Sequence, residues 1–456
     1  MGLMVLKDKR VLVVGLGKSG VASALFMKER GARVTVSDTK SGDELRNEIP
    51  ALLDHGIVVE TGGHGERTFK GQDLIVVSPG VPVDAPLLVQ ARSLGEPVIG
   101  EIELAAQFLP GPIVAITGSN GKTTTTTLAG EILTAGGLPT LVGGNIGTPA
   151  ISLAERATQE TVIVLEVSSF QLETIQTFRP KIAVVLNVTP DHLDRHRTLE
   201  AYVNAKARIF ENQRDDDFAV LNADDAVCAS MAARTKAKVF WFSRQKEVRQ
   251  GAWAGDGKIF LRDGTGQREI MQVSEIPLKG AHNLENVLAA VCAGALMGCA
   301  ADKIRQAVRN FKAVEHRLEF VATIRGVDYY NDSKATNVDA TIKALESFPA
   351  NIHLILGGKD KGSDYSVLNE LLKQRVKRVY TIGAAAEKIE SQIASSKSGG
   401  VEVVHAETLE NALRKANASA EPGDVVLLAP ACASFDQFKN YEQRGKAFKE
   451  IVRGLG

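Results

Sequence analysis

Short runs of β-branched and aliphatic residues recur along the chain, each followed by a polar or glycine-rich turn and then by a stretch with helical spacing. Residues 11–14 read as a buried strand, 19–30 as a helix, and 33–37 and 74–77 as further strands. Strand-then-helix alternation builds a parallel sheet with helices on its faces. Pro110-Gly111-Pro112 punctuates the pattern, and 113–116 opens a second set that continues with 161–165, 182–186 and 219–221. Each of these ends in polar residues, where a doubly wound sheet exposes its ligand-binding edge. Residues 241–273 are glycine-rich with short alternations, which predicts small antiparallel strands, and 283–297 predict an alanine-rich helix. Beyond a hinge near 311–316, residues 329–331, 352–356, 379–382 and 425–428 supply a third set of buried parallel strands. The expectation is an α/β protein of three domains, 1–100, 101–313 and 314–456. The first and last are Rossmann-like, and the middle one is a P-loop ATPase-like parallel sheet.

Composition agrees with this and removes other classes. At 456 residues the chain exceeds a single core, and 44% hydrophobic with 24% charged residues is ordinary for a packed protein. Lys plus Arg equals Asp plus Glu at 54 each, so no net field draws the chain onto nucleic acid or an anionic bilayer. Four cysteines without a Cys-x-x-Cys pair argue against a disulfide framework or thiolate zinc site. The first residues lack the features of a signal peptide, and no stretch approaches the roughly 20 apolar residues of a bilayer span. A cytoplasmic monomer without membrane insertion is expected.

Two glycine loops carry the candidate chemistry. Gly118, Ser119, Asn120, Gly121, Lys122, Thr123 and Thr124 lie between a predicted strand and a predicted helix, where backbone N–H groups cradle phosphate oxygens. Lys122 would reach the terminal phosphates of ATP, and Thr123 would offer a hydroxyl to Mg²⁺. The strict motif has glycine where Ile116 stands, so a threonine-capped glycine turn is the competing interpretation. The other loop runs from Gly15 through Gly17, Lys18 and Ser19 to Gly20, with Asp38 at the end of the next strand. Alone it reads as an NAD site of an oxidoreductase, although it suits any pyrophosphate, including that of a UDP-sugar. Two phosphate sites favour two phosphorylated substrates over hydride transfer.

The phosphate loop, Gly143-Gly144-Asn145-Ile146-Gly147, residues 165–173, Asn187 to Asp194 and His282 to Asn286 together resemble the central signatures of the Mur ligase family. Within that family, residues 331–337 and 430–445 are similar to the branch that joins D-glutamate to UDP-N-acetylmuramoyl-L-alanine. The resemblance implies ATP-dependent ligation through an acyl phosphate and a tetrahedral intermediate, in peptidoglycan precursor synthesis. It implies that the three domains bind the UDP end, ATP and the amino acid in turn, with the third closing on the second when ATP binds. Sister ligases adding another amino acid, and folylpolyglutamate synthetases, are the nearer alternatives. A binding module without catalysis leaves the joint occurrence of these motifs unexplained.

The same resemblance distributes roles. Lys122, Glu166, His192 and Lys206 would be catalytic. Thr123, Glu166, His192 and Lys206, the last as a carbamate, would hold two Mg²⁺ ions. Gly17, Lys18, Ser19, Asp38, Thr39, Lys40, Gly80, Asn145, Ser168 and His192 would bind the UDP substrate. Asn283, Asn286, Arg317, Asp332 and Lys334 would join the phosphate loop around ATP, and Thr336, Lys361, Ser434 and Phe435 would surround D-glutamate. On residue type alone, Glu166 also reads as a surface carboxylate, His192 as part of a polar turn, Lys206 as a solvated helix lysine and Lys361 as a loop lysine. Two positions depart from the family pattern. Lys40 stands where an arginine is usual and lacks its bidentate fork, and Gly357-Gly358-Lys359-Asp360-Lys361 offers Lys359 as a competitor for the glutamate side chain.

Overall fold

Three sheets organise the chain in this computed structural model, which describes residues 4–278, 280–312, 314–393 and 401–455. The domain boundary expected at residue 313 falls outside the described residues. The first sheet holds β1 (Arg10–Val14), β2 (Arg33–Ser37), β3 (Val58–Glu60), β4 (Leu74–Val77) and β5 (Val98–Gly100). Its order is β3-β2-β1-β4-β5, and all pairs are parallel. Val11, Leu12 and Val13 are fully buried because β1 is central and helices cover both faces. The loop leaving β1 therefore sits where the strand order reverses, the usual ligand crevice of an open α/β sheet.

The second sheet comprises β6 (Ile113–Thr117), β7 (Thr140–Gly144), β8 (Val162–Glu166), β9 (Ile182–Val185), β10 (Phe218–Asn222), β11 (Lys238–Ser243), β12 (Gly251–Gly255), β13 (Lys258–Asp263) and β14 (Gly266–Gln272). The order β14-β13-β12-β11-β10-β9-β6-β8-β7 places β6 between β9 and β8, again at a reversal. The segment expected to be antiparallel is so from β12 to β14, but β11 and β12 pair parallel, so the hairpins extend the main sheet. Asp256-Gly257 makes the first hairpin turn with φ of 50° and 72°, the positive values that a twisted two-residue turn requires.

The third sheet has β15 (Glu319–Ile324), β16 (Val327–Asn331), β17 (Ile352–Gly357), β18 (Val376–Ile382), β19 (Glu402–Glu407) and β20 (Val425–Leu428), in the order β15-β16-β20-β17-β18-β19. The four strands expected here, now β16, β17, β18 and β20, are present and pair in parallel. β15 is an antiparallel edge strand, joined to β16 by Arg325-Gly326 at φ of 51° and 79°. Along β17, Leu354 and Leu356 face one apolar core and Ile355 the other, as the two-residue period of a strand buried on both faces dictates.

Two compact units result, both discontinuous in sequence. The first contains residues 1–188, 195–273 and 286–308, and the second 189–194, 274–285 and 309–456. One continuous core runs through the N-terminal and central sheets of the first unit. Among the described residues, no helix is long and apolar enough to cross a membrane.

Candidate active site

The phosphate loop leaves β6 and enters a helix at Lys122–Ala135, where the first-turn N–H groups have no intrahelical partners. Gly121 caps this helix at φ 87°, and a β-carbon there would lie 2.1 Å from Asn286 Oδ1, so any other residue is strained and must displace that side chain. Asn187, two residues beyond β9, fixes the loop by accepting from the Asn120 N–H at 2.8 Å and donating to the Asn120 carbonyl at 3.0 Å. The Lys122 amine donates to the Gly118 and Ser119 carbonyls, both at 2.9 Å. The threonine run has an account beyond helix propensity. Thr123 donates to Glu166 Oε2 at 2.7 Å, and Thr125 donates to Asn286 Oδ1 at 3.3 Å.

Glu166 ends β8 and is buried, which removes its interpretation as a surface carboxylate. Its second oxygen accepts from Asn145 Nδ2 at 2.9 Å, so Thr123, Glu166 and Asn145 form one connected group. Ser168 caps the short helix Ser169–Leu172 through a reciprocal capping box with Gln171. Lys206 is 1% exposed, which overturns its reading as a solvated lysine. Its amine donates to the Gly118 carbonyl at 2.9 Å and lies 4.4 Å from the centre of the Tyr202 ring.

A cleft of about 410 Å³ opens above the first sheet, lined by Gly17, Lys18, Ser19, Asp38, Thr39, Lys40 and Gly80 of the expected set. It also takes in Leu16, His64, Ser78 and Val81, which sequence reasoning did not single out. His64 is held by Ser37 Oγ at 2.8 Å from its Nδ1. The Asp38 carboxylate accepts from the Leu16 N–H at 2.6 Å and the Lys40 N–H at 2.8 Å. It braces the glycine loop while still lining the cleft.

The second unit gathers the remaining candidates. His192 has φ 54°, and its Nε2 lies 3.7 Å from Asp191 Oδ2. Asp191 also accepts from Asn337 Nδ2 at 3.0 Å and lies 3.9 Å from the Lys361 amine, so it organises this turn. Sequence reasoning noted Asp191 only as part of a polar turn around His192 and Asn337 only as a member of its motif, and gave neither a site role. Asn283, in the helix Ala281–Leu296, is buried beside His282, whose burial, aided by the Arg317 and Lys343 charges, pushes its pKa down to about 3. Arg317 lies 3.8 Å from the buried Asp332 carboxylate, which burial pushes up in pKa, and the Lys334 amine lies 5.2 Å from the Tyr441 ring centre.

Backbone hydrogen bonds bring three loops together at the ends of β16, β20 and β17. Ala431 donates to the Ala335 carbonyl at 2.9 Å, and Lys359 and Ala433 exchange bonds of 2.8 and 3.1 Å. Thr336, Ser434 and the Lys359–Lys361 loop are thereby neighbours, with Ser434 buried and Phe435 66% exposed. Arg444, which sequence reasoning missed as a separate residue, is the buried brace beneath them. Its guanidinium donates to Ser333 Oγ and to the Ser333 and Cys432 carbonyls, at 2.9–3.1 Å.

Comparison with known proteins identifies the family. Residues 9–100 match the Mur ligase MurD-like N-terminal domain, 116–294 the Mur ligase middle domain, and 316–432 the Mur ligase glutamate ligase domain. The chain is 67% identical over 452 residues to UDP-N-acetylmuramoylalanine--D-glutamate ligase of Koribacter versatilis, covering 99% of each. It is 60% identical over 451 residues to the protein of the same name from Acidobacterium capsulatum, covering 98% of this chain and 97% of that one. MurF ligase from Thermotoga maritima in complex with ADP shares the fold at a TM-score of 0.62 and 18% identity, with 99% of each chain covered. A pseudomurein peptide ligase type C from Methanothermus fervidus does so at 0.61 and 21%, with 98% of this chain and 100% of that one covered. With all three domain types matched in order and relatives aligned from end to end, the chain belongs to the Mur ligase family of ATP-dependent ligases.

Proposed function

We propose that the protein joins D-glutamate to UDP-N-acetylmuramoyl-L-alanine at the expense of ATP, in peptidoglycan precursor synthesis. The observation that carries this is the end-to-end 67% identity to a ligase of that specificity. The alanyl carboxylate attacks the γ-phosphorus, the bond to the bridging oxygen breaks, and ADP leaves. The amine of D-glutamate then attacks the acyl carbon, and the tetrahedral intermediate expels phosphate as the amide forms and the amine loses a proton. Phosphorylation is needed because a free carboxylate is a poor electrophile. In the proposed site, Lys122 and the Gly118–Gly121 backbone stabilise charge on the phosphates.

Among the described residues, no cluster of three or more His, Cys, Asp or Glu side chains forms a metal cage. That suits Mg²⁺, which binds through one or two protein oxygens together with phosphate and water. Thr123 and Glu166, joined at 2.7 Å, fit that requirement and would hold the ion, which supplies charge neutralisation when bound. The buried Lys206 fits carbamylation, because conversion of its amine to an anion would suit a second ion where an ammonium would repel it. His192, Asn145 and Ser168 would border the sugar substrate, and the seven cleft residues from Gly17 to Gly80 would hold its UDP end. Asn283, Asn286, Arg317, Asp332 and Lys334 would complete the nucleotide site, while Thr336, Lys361, Ser434 and Phe435 would receive D-glutamate. The domain limits 1–100, 101–313 and 314–456 remain our functional division, in a cytoplasmic monomer. All four cysteines are free and buried, in keeping with a reducing compartment.

Phosphate release from ATP with UDP-N-acetylmuramoyl-L-alanine tests the reading, comparing D-glutamate with L-glutamate, L-lysine, D-alanine and no amino acid. Release that depends on D-glutamate is expected. Dependence on another amino acid would keep the chemistry and overturn the substrate.

A further inference from the structure

Arg195 ties a wall of the N-terminal cleft to the central domain inside the first unit. Its Nη2 donates to the Val81 carbonyl at 2.9 Å and to Glu173 Oε2 at 3.1 Å, and its Nη1 reaches the Gly80 carbonyl at 3.4 Å. The guanidinium carbon lies 4.8 Å from the centre of the Phe170 ring, so a cation–π contact adds to the hydrogen bonds. Gly80 and Val81 line the cleft, whereas Arg195 does not. The anchor continues inward, because Glu173 Oε1 lies 3.5 Å from His196 Nδ1, and His196 Nε2 lies 2.9 Å from Ser169 Oγ.

We infer that Arg195 is a positioning residue for the UDP substrate, fixing the Gly80-Val81 wall against Glu173 so that the cleft is preformed. The inference rests on the proposed function, in which this cleft takes the UDP end. Three acceptors in two directions need a forked, planar donor, and a lysine ammonium offers no such plane. A preformed wall lowers the cost of ordering on binding, so its loss falls on affinity for this one substrate and spares the other two. Arg197 provides an internal contrast. It pairs with Asp84 at 3.2 Å on the surface, with side chains 80% and 65% exposed, where such a pair contributes little.

The test uses the full chain as wild type, R195A, R195K, R197A and E173Q. Calorimetric binding of UDP, KM for each of the three substrates, kcat and the thermal midpoint are measured. R195A is expected to weaken UDP binding, and to raise KM for UDP-N-acetylmuramoyl-L-alanine, by roughly tenfold or more. Its KM for ATP and D-glutamate should stay within about twofold of wild type, R195K should restore only part of the loss, and R197A should match wild type. An unchanged UDP affinity in R195A, full restoration by R195K, or a parallel rise in all three KM values would overturn the proposal. If R195A fails to fold, E173Q decides by the same readings, with a smaller loss confined to the UDP substrate expected. A wild type that binds UDP without ligase turnover would defeat the functional reading and leave UDP affinity to judge Arg195; one that does not bind UDP would defeat both.

Discussion

Glu101 is a carboxyl group set where a carboxylate is hard to keep. It is buried, Oε1 accepts from the Ile151 N–H at 2.8 Å, and the Gln171 side chain and Ala150 backbone add only partial compensation for the lost water. Burial pushes its pKa from 4.5 up to about 7. Between those values the folded chain keeps a proton that the unfolded chain has released, so stability falls as pH rises and levels off above the folded pKa. The full effect is about 3 kcal/mol. Glu101→Gln retains an acceptor for Ile151 and cannot ionise, so its stability relative to wild type should grow from pH 5 to pH 8. Chemical denaturation across that range checks this, and a constant offset would rule it out. Such residues also mark where sequence reading stops. Glu166 was legible because a carboxylate at a strand end has few structural reasons to be there, and the phosphate loop because its spacing is unusual. Lys206, in the helix Leu199–Ala207 among residues of mixed polarity, reads as solvated on residue type; the family resemblance marked it, and the fold shows that it faces inward. Arg444, Asp191 and Asn337 act through partners distant in sequence, which no local pattern can announce.

At the scale of elements, the strands that hydrophobic pattern missed share one property. β3, β5, β7, β15 and β19 are all sheet edges. Edge strands are short or half solvated, so they lack the continuous apolar run that marks an interior strand such as β1 or β17. The interior strands and both glycine loops, by contrast, stood out because burial on both faces leaves little freedom of residue type. The loop before the helix Lys122–Ala135 gives a sharp prediction. Gly121→Ala adds a methyl group at a positive φ and against the Asn286 side chain. It should cost about 1–3 kcal/mol of stability and lower kcat/KM for ATP by roughly a hundredfold or more. Denaturant titration and phosphate release measure the two effects, and near wild-type turnover would show that the loop tolerates a different path.

For the whole molecule, the two units are written into the chain out of order. Both tryptophans, Trp241 and Trp253, belong to the first unit, so tryptophan fluorescence reports on it alone, while circular dichroism sees both. Asn337 caps the helix Val338–Glu346 and bonds Asp191 within the second unit. Asn337→Ala should remove about 1 kcal/mol or more from that unit. The circular-dichroism transition should then shift to lower denaturant while the fluorescence transition stays in place. Coincident shifts would instead mean that the two units unfold as one cooperative block. The interleaving also constrains how such a protein could be recombined. Thr189 donates to Asp339 and Asp191 accepts from Asn337, although the first pair of residues lies far upstream of the second. A chimaera built by swapping only the last third of the chain would bring in a new Asn337 and Asp339 and leave the old Thr189 and Asp191 behind. An intact second unit would therefore have to travel as three separate cassettes, 189–194, 274–285 and 309–456, moved together.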